Sequence, residues 1–464
     1  MTAVAIGAEG AATAAVIGVV TRAAAVAVAV EIGVAMREVV AAAIGVAEVV
    51  AVVMMVGAGK PLLLPFLPKM TATDFRVGRG HAIFRSKTAV LVQAPRRKLD
   101  MDLFARRLER LRRTFKADRI DALLVASEAN VFYLTGFTGE ASALLVGRDR
   151  ALLISDGRFA TQIEQECGGL EAHIRPLDQP LYDGVGEVVA RFGAARVGFE
   201  PSALSVANFD TIRRQADAVG WVGVAGRVEA LRAVKDRAEV EAIRRAIDQA
   251  ERAFAMLRAS INGHESEKEL ADALEGYLRR CGASAAAFAP IVAVGARAAL
   301  PHARPTAEAR LGDADFVLVD WGASAGPYKS DLTRVLVTGK VTPKFEKLYR
   351  TVLAAQERGI AALRPGAKAG EVDAAARSVI DEAGFGRSFS HGLGHGIGLE
   401  IHENPFFRRD NPTTLKAGMV VTIEPGIYLP DWGGVRIEDD VLVTPDGPEV
   451  LTRVPKSLDS ALLR

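Results

Sequence analysis

Residues 316–337 read FVLVDWGASAGPYKSDLTRVLV, and how this stretch folds decides how the rest of the chain is read. Its apolar runs, Phe316–Asp320 and Lys329–Thr338, flank a small-residue pair, Ala325-Gly326, that suits a two-residue turn. The stretch therefore predicts an antiparallel hairpin. Partners in a hairpin stand equally far from the turn, which sets Asp320 opposite Asp331. Directly opposed side chains have Cβ atoms about 4.5–5.5 Å apart, and like charges there are destabilising. Two carboxylates about 4 Å apart repel by about 4 kcal/mol at an effective dielectric of 20. A shared cation reverses that sign. Taken alone, the pair is explained as readily by two solvated acids beside a turn.

A second stretch argues against solvated acids. Residues 420–444, VVTIEPGIYLPDWGGVRIEDDVLVT, form another hairpin pattern, centred on Asp431, and the same geometry sets Glu424 opposite Glu438. Each hairpin thus contributes an opposed pair of acids from strands that otherwise read as core. Buried carboxylates must be paired or bind metal, and two divalent cations neutralise four of them. Strand alternation turns Asp439 away from Glu438 and Asp440 toward the same face; neither is assigned as a ligand.

Between the hairpins, SHGLGHGIGLEIHENP (390–405) holds His391, His395 and His402. The spacing of His391 and His395 suits a helical metal pair, but Gly392, Gly394, Gly396 and Gly398 cost such a helix about 4 kcal/mol relative to alanine. Extended chain passing close to a neighbour fits better. There His391 and His395 share a face, and His402 joins them only if a bend intervenes. Spacing alone leaves open which of the three binds metal. His302, in ALPHARPT (299–306), and Arg436, two residues before Glu438, are candidates for the same site. His81, His173 and His264 lack such company and read as surface residues.

Outward from the site, a helix–helix–hairpin plan occurs twice. Helices at Ala238–Ser260 and Ser266–Cys281 precede the first hairpin; helices at Phe345–Leu363 and Glu371–Ala383 precede the second. Two pseudo-symmetric halves facing each other, with the site between them, are expected. Before them, Met101 to about Ala225 is mixed α/β. Short buried strands are expected at Ala122–Val125, Ala143–Val146 and Ala151–Ile154, and helices at Arg158–Glu166 and Ala203–Gln215. Arg106, Arg107, Arg110, Arg112 and Arg113 read as a solvated outer helix face, since no aromatics interleave with them.

Residues 1–60 are almost wholly small and apolar, yet Arg22, Glu31, Arg37, Glu38 and Glu48 cut them into pieces too short to span a membrane. The first charge is Glu9, not the basic residues that open a signal peptide. Residues 1–100 are read as a low-complexity leader outside the fold, which is expected to begin at Met101. Lys and Arg number 58 against 56 Asp and Glu, a net charge of +2, so neither nucleic acid nor an anionic membrane is expected as partner. Two distant cysteines, Cys167 and Cys281, agree with a cytoplasmic location.

ALPHARPT, DWGA with SDLTR, HGLGHGIGLEIHENP, TIEPGIY and VRIEDDVLVT follow one another in the order found in the prolidase and aminopeptidase P group of pita-bread metallopeptidases. NVFYLTGFTGEASALLV (130–146) resembles that group's N-terminal domain, so the resemblance runs from about Met101 to Arg464. One departure is AGPYKSD, where the family more often has Gly-Tyr before Ser-Asp. The resemblance implies a creatinase-like α/β domain at 101–228 and an α+β pita-bread catalytic domain with pseudo-two-fold halves at 229–464. It implies five metal ligands, Asp320, Asp331, His395, Glu424 and Glu438, with Asp331 and Glu438 bridging two divalent ions. Mn²⁺ is favoured, with Co²⁺, Zn²⁺ or Fe²⁺ possible. The activity implied is hydrolysis of the bond between an N-terminal residue and proline by a hydroxide that bridges the two ions. Glu424 is the expected base, His391 or His402 the oxyanion donor, and His302 and Arg436 the substrate contacts. Short proline-containing peptides are the expected substrates and a homodimer the expected assembly. The alternatives are a methionine aminopeptidase and, from a different class, a non-catalytic pita-bread module that binds peptides. The domain before the catalytic half and Arg436 argue against the first, the complete ligand set against the second. Creatinase-like hydrolysis on the same fold would not need that ligand set.

Overall fold

The structure, a computed structural model, describes residues 98–463 and, before them, five short strands: Ala3–Gly7, Ala14–Gly18, Val26–Val30, Val50–Met55 and Pro61–Leu62. Two compact units result, Met1–Gln93 and Ala94–Arg464. In the first, the strands pair in chain order, antiparallel except for a parallel third and fourth. The rest of the expected leader, His81 included, lies outside the described residues.

The second unit opens with helix α1, Lys98–Arg112, and a mixed sheet. Its strands are β1 Ala122–Val125, β2 Ala143–Gly147, β3 Ala151–Asp156, β4 Glu171–Arg175, β5 Arg196–Phe199 and β6 Gly220–Gly223, in the order β6-β5-β1-β2-β3-β4. Every residue of β1, β2 and β3 is buried, because helices cover both faces. On one side Leu111 of α1 packs with Leu123, Leu144 and Leu153. On the other, Val185 and Ile212, from helices α3 (Leu181–Phe192) and α4 (Val206–Gln215), pack with Leu124, Leu145 and Ile154. Helix α2, Glu128–Thr135, follows β1.

The arginine face of α1 is not wholly solvated, contrary to expectation. Arg107 is only 4% exposed; it donates to the Tyr133 carbonyl at 2.8 Å and to Asp236 at 2.7 Å. Helical periodicity puts it beside Leu108 and Leu111 on the inward face, while Arg106, Arg110 and Arg113 stay outside.

Helix α5, Arg227–Arg232, leads into the catalytic part, where the repeated plan is realised. Helices α6 (Arg237–Ser260) and α7 (Glu267–Arg280) each begin with a capping box, Asp236 with Glu239 and Ser266 with Glu269. Strands β7 (Ile291–Val294), β8 (Phe316–Trp321) and β9 (Leu332–Val337) follow as an antiparallel sheet. Helices α8 (Pro343–Ala362) and α9 (Ala369–Glu382) precede the second set: β10 Gly394–Gly396, β11 Glu403–Phe407, β12 Val420–Ile423, β13 Gly426–Leu429, β14 Gly433–Arg436, β15 Asp439–Thr444 and β16 Gly447–Val450. Here β11-β10-β12-β15-β16 form one sheet and β13-β14 a separate pair. A bridge between Thr333 and Glu438 joins the two halves. Among the described residues no helix is long and apolar enough to cross a membrane.

The first hairpin turns one residue later than expected. Ala325 pairs with Tyr328, so Gly326-Pro327 is the turn, and Asp320 faces Thr333 rather than Asp331. Proline decides this. A turn at Ala325-Gly326 would put Pro327 into the ladder, where it has no N–H to donate. At the tip, Gly326 takes the positive φ (60°) that the first residue of a type II′ turn requires. Asp331 is therefore diagonal to Asp320, two residues along the strand from its partner. The second hairpin turns on Asp431 (φ 62°) as expected. Gly426 faces Arg436 and Ile423 faces Asp439, one register that sets Glu424 opposite Glu438.

Candidate metal centre

The strand ends converge on one cavity of about 740 Å³. Asp320 lies near the end of β8, Asp331 just before β9, His395 at the centre of β10, Glu424 just after β12, and Glu438 between β14 and β15. All five line the cavity, as do His302, His391, His402 and Arg436. The ligand atoms of Asp331, His395 and Glu438 lie within 4.8 Å of one another. His395 Nε2 is 3.7 Å from Asp331 Oδ2 and 3.4 Å from Glu424 Oε1. His264 is exposed, His173 is half-buried in β4 rather than at the surface, and neither lines the cavity.

The glycines around His395 are there for close approach. A Cβ on Gly392 would stand 2.4 Å from the Phe407 carbonyl oxygen, on Gly394 2.1 Å from that of Thr422, and on Gly396 2.3 Å from that of Asn404. The bend after β10 brings His402 back to the same cavity, its ring 4.4 Å from that of His395.

Burial and mutual repulsion dominate the electrostatics. Asp331 and Glu438 are held well above the usual carboxylate range, first by burial and then by each other's neighbourhood of acids. Burial, with Asp320 adding to it, pushes Glu424 up to about 8. Asp320 is raised by burial although Arg436 opposes the shift. Burial lowers His395 to about 4, so the ring is neutral at neutral pH. Its Nδ1 lies 3.1 Å from the Gly396 carbonyl oxygen, which accepts only. The proton is therefore on Nδ1, and an unprotonated Nε2 lone pair faces two carboxylates. Such a set is repulsive without a cation in its midst. Asp320 Oδ1, buried and without a hydrogen-bond partner, points to the same need.

Two neutral side chains that sequence reasoning missed complete the site. Thr333 donates to Glu438 Oε2 at 2.6 Å and accepts from Arg436 Nε at 3.0 Å. Tyr428 accepts from Arg436 at 2.8 Å, and its hydroxyl lies 2.8 Å from His391 Nε2. The Gly392 carbonyl, 2.7 Å from His391 Nδ1, accepts a hydrogen bond from that ring's N–H. His391 thus accepts from Tyr428, and both its nitrogens are engaged. The correct hairpin register would have flagged Thr333 as the residue opposite Asp320; Tyr428 gave no signal. Arg436, expected to touch substrate, lines the cavity and gives four of its five N–H groups to Asp320 Oδ2 (2.5 Å), Thr333, Tyr428 and the Pro301 carbonyl.

Residues 241–445 match the profile of metallopeptidase family M24, and residues 107–234 that of the creatinase/prolidase N-terminal domain. The chain is 36% identical to an uncharacterized peptidase of Bacillus subtilis over 76% of its own length and 99% of that protein. It belongs to metallopeptidase family M24. The same shares, at 35% identity, hold for an Xaa-Pro dipeptidase of Pyrococcus furiosus. Among solved structures, an Xaa-Pro dipeptidase from Bacillus anthracis superposes with a TM-score of 0.73 at 37% identity, over 76% of this chain and 99% of that one. An X-Pro aminopeptidase from Thermotoga maritima gives 0.69 at 35% identity, over 74% and 99%. The M24 chain is accordingly a metal-dependent hydrolase built from a creatinase-type N-terminal domain and an M24 catalytic domain, and the family uses divalent metal ions.

Proposed function

We propose that this M24 enzyme cleaves the bond between an N-terminal residue and proline, with a preference for Xaa-Pro dipeptides. The observation that carries the reading is the unprotonated Nε2 of His395 facing Asp331 and Glu424 inside a cavity that also holds Asp320 and Glu438. These five would hold two divalent cations, Mn²⁺ foremost, given four oxygen donors and one imidazole. When bound, such ions supply Lewis acidity toward water and toward the scissile carbonyl. Similarity to proteins named Xaa-Pro dipeptidase and X-Pro aminopeptidase supports the proline requirement. A cytoplasmic homodimer, with residues 101–228 and 229–464 as its two domains, completes the proposal.

The chain's own residues divide the work. Glu424, which bound cations would hold ionised, takes a proton from the attacking water. His402 is exposed at the cavity and is the donor for the carbonyl oxygen as it gains charge. His391 acts one step back, through Tyr428, because neither of its nitrogens is free. Arg436 fixes Asp320 and Thr333. The substrate carboxylate then falls to Arg304 and Arg408, which line the cavity, are exposed, and have no side-chain partner among the described residues; His302 lines the same cavity.

Turnover of Ala-Pro, Ala-Pro-Ala, Met-Ala-Ser and Ala-Ala tests this. Ala-Pro is expected to be fastest, with Ala-Ala nearly inert. Replacing Arg304 and Arg408 together by alanine should raise KM for Ala-Pro about tenfold or more, the usual loss of a charge-assisted contact. Faster cleavage of Ala-Pro-Ala would assign an aminopeptidase; preferential cleavage of Met-Ala-Ser would overturn the proline reading.

The acids also set a pH dependence. In metal-free protein Glu424 has its pKa raised to about 8, so its contribution to stability is fully present below its unfolded value and is lost as pH rises through about 8. His395, lowered to about 4, acts oppositely: its contribution is present above its unfolded value and fades as pH falls toward 4. Between about pH 6.5 and 8 the His395 effect is complete, and Glu424 acts together with Asp331 and Glu438, which are raised in the same direction. Melting curves with and without chelator should therefore diverge as pH rises across that window, the metal-free form losing ground. Parallel curves would refute the assignment of these buried acids to the metal site.

A further inference from the structure

Glu403, the residue after His402, is a buried hub. Its Oε1 accepts from the backbone amides of Leu399 (2.9 Å) and Glu400 (3.1 Å) and from Arg232 (2.6 Å). Its Oε2 accepts from Lys235 at 3.1 Å. The carboxylate is 7% exposed as a residue, and both cations are buried. Burial alone would raise its pKa, yet Lys235, Arg232 and the hydrogen bonds outweigh that and hold it below the usual value. It is thus a permanent anion folded back over its own loop. Gly398 makes the room, since a Cβ there would stand 2.9 Å from each carboxylate oxygen. The carbonyl of Gly398 in turn accepts from Lys329 N at 2.9 Å, two residues before Asp331. The bend between β10 and β11, which ends in His402, is therefore shaped from inside by one carboxylate.

What holds that carboxylate comes from outside the catalytic domain's own repeat. Arg232 closes α5, and Lys235 follows it on the segment joining the two domains. Arg232 also donates to Asn130 Oδ1 at 2.7 Å. Asn130, fully buried in α2, donates to Glu200 at 2.6 Å, and Glu200 accepts from the amides of Ala126 and Ser127 at the end of β1. An unbroken run of hydrogen bonds therefore links the N-terminal sheet to the residue beside His402. A loop that needed only closure could use any neutral cap. Arg232, tied through Asn130 to the N-terminal sheet, fixes its position relative to that sheet, and Lys235, whose amide donates to the Gly418 carbonyl, adds a second cation from the segment joining the domains.

We propose that Arg232 and Lys235 act through Glu403 as positioning residues for His402, so that the N-terminal domain sets the reach of an active-site histidine. The proposal rests on the peptidase reading for its kinetic readout alone. Arg232→Met, Lys235→Met and Glu403→Gln are each made in the wild-type and in the His402→Ala background, in the full metal-loaded chain. In the wild type, Arg232→Met and Glu403→Gln should lower kcat about ten- to hundredfold with little change in KM, the scale of a small misplacement of a reacting group. In the His402→Ala background the same changes should alter kcat by less than about twofold, because the group they position is gone. Equal losses in both backgrounds, or normal kcat in folded Glu403→Gln enzyme, would overturn the proposal. Should Arg232→Met not fold, Lys235→Met decides, since it removes a single contact. Amide exchange supplies a readout independent of turnover: Leu399 and Glu400 should exchange faster in each variant, and unchanged rates overturn the coupling. Wild-type enzyme inert toward Xaa-Pro would count against the functional reading, and exchange would still decide this one.

Discussion

Replacing Glu424 with glutamine is expected to lower kcat by about two to four orders of magnitude while KM moves little, as for a lost general base. Glutamine keeps the shape and the oxygen that faces His395, but it cannot take up a proton. In the metal-free site burial and the Asp320 charge raise Glu424 to about 8, so it is protonated near neutral pH; bound cations would hold it ionised and able to accept a proton. Asp331→Asn should behave differently and lose metal, because Asp331 lies between His395 and the other acids. Steady-state kinetics with metal content measured on the same samples separates the two. Near-normal kcat in metal-replete Glu424→Gln would place the base elsewhere.

Chelation is expected to abolish activity, and Mn²⁺ or Co²⁺ to restore it at about two ions per chain. The argument is again the acids. Asp331 and Glu438 both sit far above their normal pKa because of burial and the acids around them, and among the described residues Arg436 is the one buried cation that bridges to Asp320. Without further positive charge the centre must bind protons, and a protonated carboxylate is no metal ligand and no base. Activity retained in protein that elemental analysis shows to be metal-free would rule out the ligand set.

How legible all this was depended on where each interaction lies along the chain. Glu424 and Glu438 could be paired from sequence because Asp431 centres an odd loop and the strands keep one register to either side. Asp320 and Asp331 were matched one turn residue too early, since the cost of seating Pro327 in a ladder outweighs the appeal of Ala325-Gly326 as a turn. The three histidines were found together, but the bend that returns His402 was not, because Glu403 shapes it through Arg232, 171 residues away. Arg107 was read as solvated for the same reason: its partner Asp236 is 129 positions distant. In the N-terminal domain the buried strands announced themselves as apolar runs. The edge strand β4, with mostly exposed residues, had no such run to give. Thr333 and Tyr428 are neutral, so charge and metal chemistry could not single them out.

The crowding around β10 also bears on how this chain can change over generations. At 392, 394 and 396 even a methyl group would lie less than about 3 Å from a carbonyl oxygen of the adjoining strand, closer than side-chain carbons stand in folded proteins. No single-residue step away from glycine at these three sites is neutral, whatever happens to the catalytic chemistry. The histidine ligand is thus carried on a ribbon that mutational drift cannot widen, and its neighbours are held in sequence space by backbone packing alone. A line of descent that lost the activity would shed the acids well before it shed those glycines.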